Sequence, residues 1–154
     1  MNKYVKSDLF RYYGKSDLIT FIKAIVKNGT FRFQYVFRTC QSNSILRYWG
    51  NFLWALNRTR KRICLPRQTQ VGYGLYIGHG GPIVVNATTV IGDNVNLSQF
   101  TTIGSNRGKA AIIGDNVYIG SNVCIVEDVK IGNNVTIGAG EAVKNLVSMG
   151  KNLS

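Results

Sequence analysis

The segment from Ile113 to Gly138 reads IGDNVYIGSNVCIVEDVKIGNNVTIG and decides the fold. An isoleucine stands at every sixth position of this segment, a valine lies two residues before each repeat, and glycine follows most of the isoleucines. A period of six is neither the 3.6 of an amphipathic helix nor the 2 of a half-buried strand. It is typical of short strands separated by tight turns, so it predicts a parallel β-helix built from hexapeptide repeats.

The same aliphatic position continues on both sides of this segment. Its members are Val85, Ile91, Leu97, Ile103, Ile113, Ile119, Ile125, Ile131, Ile137, Val143 and Met149. Asn and Asp fill the turns between them, where a left-handed backbone is tolerated. Three strands make one triangular coil of about eighteen residues. The predicted stacks are Val85 on Ile103, Ile119 on Ile137, and Ile113 on Ile131 on Met149.

The period breaks twice, and function is expected at the breaks. Two extra residues separate Ile77 from Val85, where the sequence is GHGGP and contains His79, the only histidine of the chain. Four extra residues separate Ile103 from Ile113, and they form a predicted loop that carries two cations. The rest of the repeat is interpreted as an inert scaffold.

The first part of the chain is basic and aromatic. Residues 1–67 hold 14 of the 19 Lys and Arg residues and 13 of the 17 aromatic residues, but only 2 of the 7 acids. N-cap candidates at Ser7-Asp8 and Ser16-Asp17 predict helices there, with Gly29 as a stop. The segment Thr30–Gln41 fits either a helix or a strand. We therefore predict two domains, a helical subdomain at 1–63 and a β-helix at 64–154.

This helical part has three interpretations. It can cover the open end of the solenoid and pair with other subunits, or it can make a peripheral contact with an anionic membrane. Nucleic acid fits the charge alone, but no known nucleic-acid-binding motif is present, so this partner is not expected. Three scattered cysteines indicate neither a metal site nor a disulfide framework. No signal peptide or span of ~20 apolar residues is recognised, which predicts a cytoplasmic protein.

Four motifs carry a resemblance to a known family. They are GLYIGH at 74–79, VIGDNV at 90–95, LSQ at 97–99 and TIG at 102–104. With the repeat, they resemble the serine acetyltransferase branch of the hexapeptide-repeat acyltransferases over roughly residues 64–145. The N-terminal helices look like those of the polysaccharide-biosynthesis members of that branch. The resemblance implies a left-handed β-helix, acetyl-CoA as co-substrate without a metal, and a homotrimer or a dimer of trimers joined through the N-terminal helices.

The resemblance also implies roles for particular residues. The histidine of the first break, His79, matches the catalytic base, which removes a proton from the acceptor hydroxyl. Gly78 and Gln99 match acceptor-binding positions. The cofactor-binding candidates are Gly104, Ser105, Asn106, Arg107, Lys109, Ser121, Ala139 and Lys144. Arg107, Lys109 and Lys144 are chosen for their charge, and each fits a solvated surface cation equally well.

Three departures from the branch bear on the acceptor. Cys64 stands where the branch has the aspartate that partners the base, fifteen residues earlier. Gly78 replaces an acidic contact to serine, and the loop after Ile103 is short and lacks an Arg-His pair. We therefore expect a sugar hydroxyl of a surface or capsular polysaccharide precursor as acceptor. The alternatives are L-serine and, since the C-terminal segment has no proline-rich turn, a non-catalytic trimeric scaffold.

Overall fold

The structure is a computed structural model that describes residues 1–42, 45–58, 63–106, 108–150 and 152–153. Within these residues the chain forms four helices and then fourteen short strands. The helices are α1 (Lys3–Tyr13), α2 (Leu18–Lys27), α3 (Gly29–Cys40) and α4 (Leu46–Arg58). The strands are β1 (Ile63–Cys64), β2 (Gln70–Val71), β3 (Tyr76–Ile77), β4 (Ile83–Val85), β5 (Val90–Ile91), β6 (Asn96–Leu97), β7 (Thr102–Gly104), β8 (Ile112–Ile113), β9 (Tyr118–Ile119), β10 (Cys124–Val126), β11 (Lys130–Ile131), β12 (Thr136–Ile137), β13 (Ala142–Val143) and β14 (Asn152–Leu153).

Consecutive strands belong to different sheets, which makes the chain a triangular coil. Sheet A has the order β1-β4-β7-β10-β13, sheet B has β2-β5-β8-β11, and sheet C has β3-β6-β9-β12-β14. Every pairing between these strands is parallel. The predicted parallel β-helix is therefore the fold of the described residues.

The aliphatic ladder forms the core as predicted, with one exception. Ile113 pairs with Ile131, Ile119 with Ile137, and Val85 with Ile103. These side chains are at most 3% exposed. Each buried aliphatic side chain contributes about 1.5–3 kcal/mol, so the repeat itself supplies the stability of the coil.

The exception is Met149, whose predicted stacking on Ile131 is wrong. Its side chain is 70% exposed, whereas Val147 is buried and bridges to Ile131. The turn after Val143 is two residues shorter than the repeat requires, so the buried position arrives two residues early. The backbone of Met149 instead packs closely against Gly132, which has no side chain to obstruct it.

The helices differ in detail from their predicted boundaries. Asn2 caps α1, so the predicted cap at Ser7-Asp8 is wrong and Asp8 is buried inside the helix. The cap at Asp17 is confirmed, because its carboxylate accepts from the Thr20 N–H. Gly29 begins α3 instead of ending α2, and the segment that fitted either a helix or a strand is helical.

The first coil has no preceding coil to form hydrogen bonds with the backbone groups at its free edge. Side chains of the helices form these hydrogen bonds instead. Arg38 donates to the carbonyls of Val71 at 2.7 Å and Gly72 at 2.5 Å. Gln34 donates to the carbonyl of Leu75 at 2.7 Å. Asp8 accepts from the Leu75 N–H at 3.0 Å and holds the Arg38 guanidinium at 2.8 Å. We call Asp8, Tyr12, Gln34 and Arg38 the edge cap; they satisfy groups whose burial without a partner is costly.

The helical part and the coil share one core at this end. Phe33 and Phe37 of α3 belong to the same buried cluster as the ladder. Strand β1 begins at Ile63, and the division into domains at 63/64 stays a prediction. None of the described helices is long and apolar enough to cross a membrane. The described residues contain no group of three or more His, Cys, Asp or Glu side chains that could hold a metal ion.

Candidate functional site

His79 lies at the centre of a tight turn between β3 and β4. Its backbone is left-handed, with φ of 57°, and the Gly80 N–H donates to the Gly78 carbonyl at 2.8 Å across it. The imidazole is exposed to solvent. A turn of this kind presents the side chain away from the coil, where an external molecule can reach it.

Two elements of the helical part hold this turn in place. The Tyr12 hydroxyl accepts from the Ile77 N–H at 3.0 Å and donates to the Ile77 carbonyl at 2.9 Å. Burial raises the pKa of the Tyr12 phenol above its ordinary value, so the group stays a neutral donor. On the other side, the Thr30 hydroxyl lies so close to Gly80 that a Cβ there would approach it to 2.7 Å.

The next coil of the solenoid also contacts the turn that carries His79. A Cβ on Gly81 would lie 2.7 Å from Cβ of Gln99, so these two residues are in contact. The Phe100 N–H donates to the Pro82 carbonyl at 2.5 Å. Gln99 therefore lies next to the turn that carries His79, and an acceptor near the imidazole would meet both.

The turns between sheets C and A form a continuous column, which we call the histidine corner. Backbone bonds join its successive coils, from Asn122 to Gln99 at 3.0 Å and from Gly140 to Ser121 at 2.8 Å. Ser121 and Ala139 lie in this column, two and three coils beyond His79. Five of the predicted residues thus lie in this column: Gly78, His79, Gln99, Ser121 and Ala139.

The other cofactor candidates lie at a different corner, formed by the turns between sheets A and B. We call it the loop corner. Gly104 ends β7 there, and the loop after it is held by Glu127, whose carboxylate accepts from the Ser105 hydroxyl at 3.1 Å and the Asn106 N–H at 3.3 Å. The far side of the loop is fixed by a bond from the Ala110 N–H to the Thr88 hydroxyl at 2.9 Å.

Two of the predicted phosphate-binding cations also lie at the loop corner, and the third is not described. Lys109 and Lys144 are both exposed there. Arg107 lies outside the described residues. The cofactor candidates that the structure describes therefore do not form one pocket in a single chain, because sheet A separates Ser121 and Ala139 from the others.

The outer face of sheet A lies between the two corners. Its outward residues follow the strand register and are Cys64, Val84, Thr102, Cys124 and Ala142. Cys64, at the position where the resemblance implies an aspartate, is exposed on this face. Within the described parts of the chain no hydrogen bond or ion pair orients the imidazole of His79.

Sequence reasoning missed Tyr12, Gln34 and Glu127. The spacing of the coils could have found Glu127, because Val126 pairs with Gly104 and the next residue must then lie beside Ser105. No local signal identifies Tyr12, which is 65 residues from the strand that it braces.

A cavity of about 750 Å³ lies elsewhere on the molecule. It is lined by α1, the end of α3 and sheet B, and it includes Lys3, Tyr4 and Arg38. None of the predicted site residues that the structure describes lines it. The geometry of His79 instead describes an open site on the surface of the coil, where an imidazole could take a proton from a bound hydroxyl.

Comparison with known proteins agrees with this description. Residues 110–140 match the family model described as bacterial transferase hexapeptide (six repeats). A serine acetyltransferase of Staphylococcus xylosus is 42% identical over 82 residues, which are 51% of this chain and 38% of that protein. A probable serine acetyltransferase 1 of Oryza sativa subsp. japonica is 44% identical over 78 residues, which are 47% of this chain and 25% of that protein.

Solved structures match over nearly the whole chain. Soybean serine acetyltransferase complexed with serine matches with a TM-score of 0.79 at 23% identity. The match covers 97% of this chain and 64% of the soybean chain. Serine acetyltransferase isoform 3 of Entamoeba histolytica, in complex with cysteine, matches with a TM-score of 0.79 at 23% identity. The match covers 97% of this chain and 56% of the Entamoeba chain. A serine acetyltransferase in complex with CoA matches with a TM-score of 0.71 at 19% identity. The match covers 96% of this chain and 64% of that enzyme's chain.

The fold is thus the left-handed parallel β-helix of the hexapeptide-repeat transferases, and the predicted fold class is confirmed. The resemblance to the serine acetyltransferase branch is confirmed as well. The chain spans well under half the length of the curated relatives described above.

Proposed function

We propose that the chain is an acetyl-CoA-dependent O-acetyltransferase of the serine acetyltransferase type, with His79 as general base. The observation that carries the proposal is the placement of the imidazole: exposed, at the centre of a braced turn, and beside Gln99. The relatives named above are serine acetyltransferases, and one of the matching structures holds CoA.

The reaction follows from ordinary acyl-transfer chemistry. His79 takes the proton of the acceptor hydroxyl as its oxygen attacks the thioester carbonyl. The tetrahedral oxyanion then collapses, an ester forms, and the C–S bond breaks. The leaving thiolate takes the proton from the imidazolium, so the base is regenerated.

The preferred acceptor is L-serine. The comparisons support serine better than the sugar hydroxyl that the sequence alone suggested, because the matching proteins are serine acetyltransferases. The sugar hydroxyl of a polysaccharide precursor stays the second candidate, since Gly78 offers no side chain where the resemblance implies an acidic contact to serine. Turnover of acetyl-CoA with L-serine and with isolated glycan units separates the two.

The base is tested with His79→Asn. Asparagine tolerates the left-handed backbone of this turn, so the variant should assemble normally while kcat falls by roughly 10²–10⁴. Sedimentation of both proteins checks assembly. Turnover that is unchanged in an intact variant would remove His79 from the mechanism.

The acceptor is tested by restoring two side chains of the branch. A Cβ at Gly78 meets Tyr76 at 3.5 Å, which is an ordinary van der Waals contact, so the first carbon of the side chain in Gly78→Asp is accommodated. It should lower KM for serine and leave KM for acetyl-CoA unchanged. Cys64→Asp should raise kcat roughly tenfold or more, because an acid that orients the imidazole contributes up to about 10⁴ in serine hydrolases. If the unmodified chain and both variants all fail to turn over serine, serine is the wrong acceptor.

The cofactor site is proposed to lie between neighbouring subunits of a trimer. In one chain sheet A separates the histidine corner from the loop corner, and a groove shared by two chains would let the residues of both corners reach one CoA molecule. If the site is intact, acetyl-CoA at a hundredfold excess over Kd should stabilise the fold by about 2.7 kcal/mol. Absence of a thermal shift at millimolar acetyl-CoA would favour the non-catalytic scaffold, and sedimentation equilibrium tests the trimer.

A further inference from the structure

Helix α4 presents an apolar stripe to solvent. Tyr48, Trp49 and Phe52 follow a spacing that places them on one face of the helix. Ile45 precedes Phe52 by seven residues and extends the same stripe from the turn just before α4. The exposed fractions of Ile45, Tyr48, Trp49 and Phe52 are 78%, 68%, 65% and 56%. No described part of the chain covers this face, although the opposite face of α4 packs on α3 through Gly50. We call these four residues the α4 stripe.

The composition of the stripe is that of an interfacial helix. Three of its four members are aromatic, and Trp49 packs edge-to-face on Phe52 with ring centroids 6.4 Å apart. Tyr and Trp concentrate at the boundary between lipid headgroups and acyl chains, because each combines an apolar ring with a polar atom. With 13 residues, α4 is too short to cross a bilayer, so it fits a position in the plane of the interface.

The charge around the stripe points to an anionic occupant. Residues 18–92 contain no Asp or Glu, while residues 18–67 contain ten Lys and Arg. Four of these cations, Arg58, Arg60, Lys61 and Arg62, come directly after the stripe in sequence. Pairing the same face of two copies would bring like charges together, which is unfavourable. A surface of lipid phosphates is instead complementary to it.

We infer that the α4 stripe docks on an anionic lipid bilayer. The aromatic side chains enter the headgroup region, and the excess of Lys and Arg in residues 18–67 attracts this part of the chain to the lipid phosphates. The docking goes beyond acetyl transfer and does not depend on it. The outward stripe of α2, which contains Leu18, Ile22 and Val26, lacks both aromatic residues and the basic run, so it is not assigned this role.

The experiment is co-sedimentation of the full chain with vesicles. Vesicles of phosphatidylcholine with a third of phosphatidylglycerol are compared with phosphatidylcholine alone. The apparent Kd on the anionic vesicles should be lower by roughly tenfold or more, since Lys and Arg near the surface are attracted to anionic lipid. Raising the salt to half-molar should weaken that binding. Tryptophan emission should shift to shorter wavelength on binding, because Trp49 leaves water.

The decisive variant combines Tyr48→Ser, Trp49→Ser and Phe52→Ser. All three side chains are exposed, so the fold should be retained, and circular dichroism checks this. The apparent Kd on anionic vesicles should rise roughly tenfold or more. The matched control is Leu146→Ser with Met149→Ser, two side chains that are each 70% exposed at the other end of the coil. It should bind like the unmodified chain.

Three results would overturn the inference. The first is no binding to anionic vesicles. The second is binding that survives the triple substitution, which would be general attraction between a cationic chain and any anionic polymer. The third is a lower oligomer mass of the triple variant in the absence of lipid, which would assign the stripe to a contact between copies.

Discussion

Replacing Arg38 by methionine should destabilise the coil at the end that carries the candidate site. The guanidinium donates to both oxygens of Asp8, at 2.8 and 3.1 Å, and to two main-chain carbonyls, at 2.7 and 2.5 Å. The two charged side chains are 2% and 1% exposed. Methionine keeps most of the apolar stem, so the effect measured is the loss of charge and hydrogen bonds and not of packing.

The magnitude follows from what the substitution leaves behind. Asp8 becomes a buried carboxylate without its cation, and removal of one partner of a buried ion pair costs about 3–5 kcal/mol. The free energy of unfolding of a domain is about 5–15 kcal/mol, so about a fifth of the stability or more should be lost. Urea denaturation followed by circular dichroism, at one fixed protein concentration, measures the change.

The chain offers a matched control on the same helix. Arg32 is exposed and donates to the carbonyl of Ile25 at 2.9 Å. Its replacement by methionine should cost less than about 1 kcal/mol. Adding Asp8→Leu to Arg38→Met should recover part of the loss, because no charge then stays buried. Equal costs for the two arginines would refute the role of the edge cap.

Three further predictions follow from the same structure. Tyr12→Phe should lower kcat with little change in the secondary structure, because the turn that carries His79 loses the hydroxyl that fixes Ile77; steady-state kinetics with circular dichroism measures both. Ile119→Ala should reduce the free energy of unfolding by about 2–5 kcal/mol through a cavity in the ladder, measured by urea titration. Burial raises the pKa of the Cys40 thiol, so a thiol reagent at pH 8 should label the two exposed cysteines quickly and Cys40 only after unfolding.

The ladder was predictable because its chemistry is local. Each aliphatic residue must be buried, each turn must tolerate a bent backbone, and six residues separate them, so Ile113 and Ile131 are assigned to one stack without coordinates. Met149 does not follow this spacing, because the turn after Val143 is two residues shorter than in the other repeats. The residue types around that turn do not reveal the shortening. Counting alone therefore favours Met149, and only the pairing of Val147 with Ile131 reveals the shift.

The candidate site was predictable in part. The break in the period identified the turn of His79, and the structure places Gln99 against it. The division of the cofactor candidates between two corners follows from which sheet precedes each turn, and that assignment needs the strand register. The braces from Tyr12 and Gln34 depend on how the helices fold back onto β3, and no sequence interval encodes that packing.

The edge cap also sets where this molecule can grow. A solenoid is modular, since each coil offers the next one the same row of backbone donors and acceptors. At the first coil that row is occupied by side chains of α1 and α3, so a duplicated unit inserted there would displace Arg38 and Gln34 from their carbonyls. A unit inserted between later coils pairs with other coils on both sides and displaces no helical side chain. Evolutionary lengthening, or an engineered extension of the coil, is therefore expected downstream of the turn that carries His79, with that turn left at a constant distance from the helices.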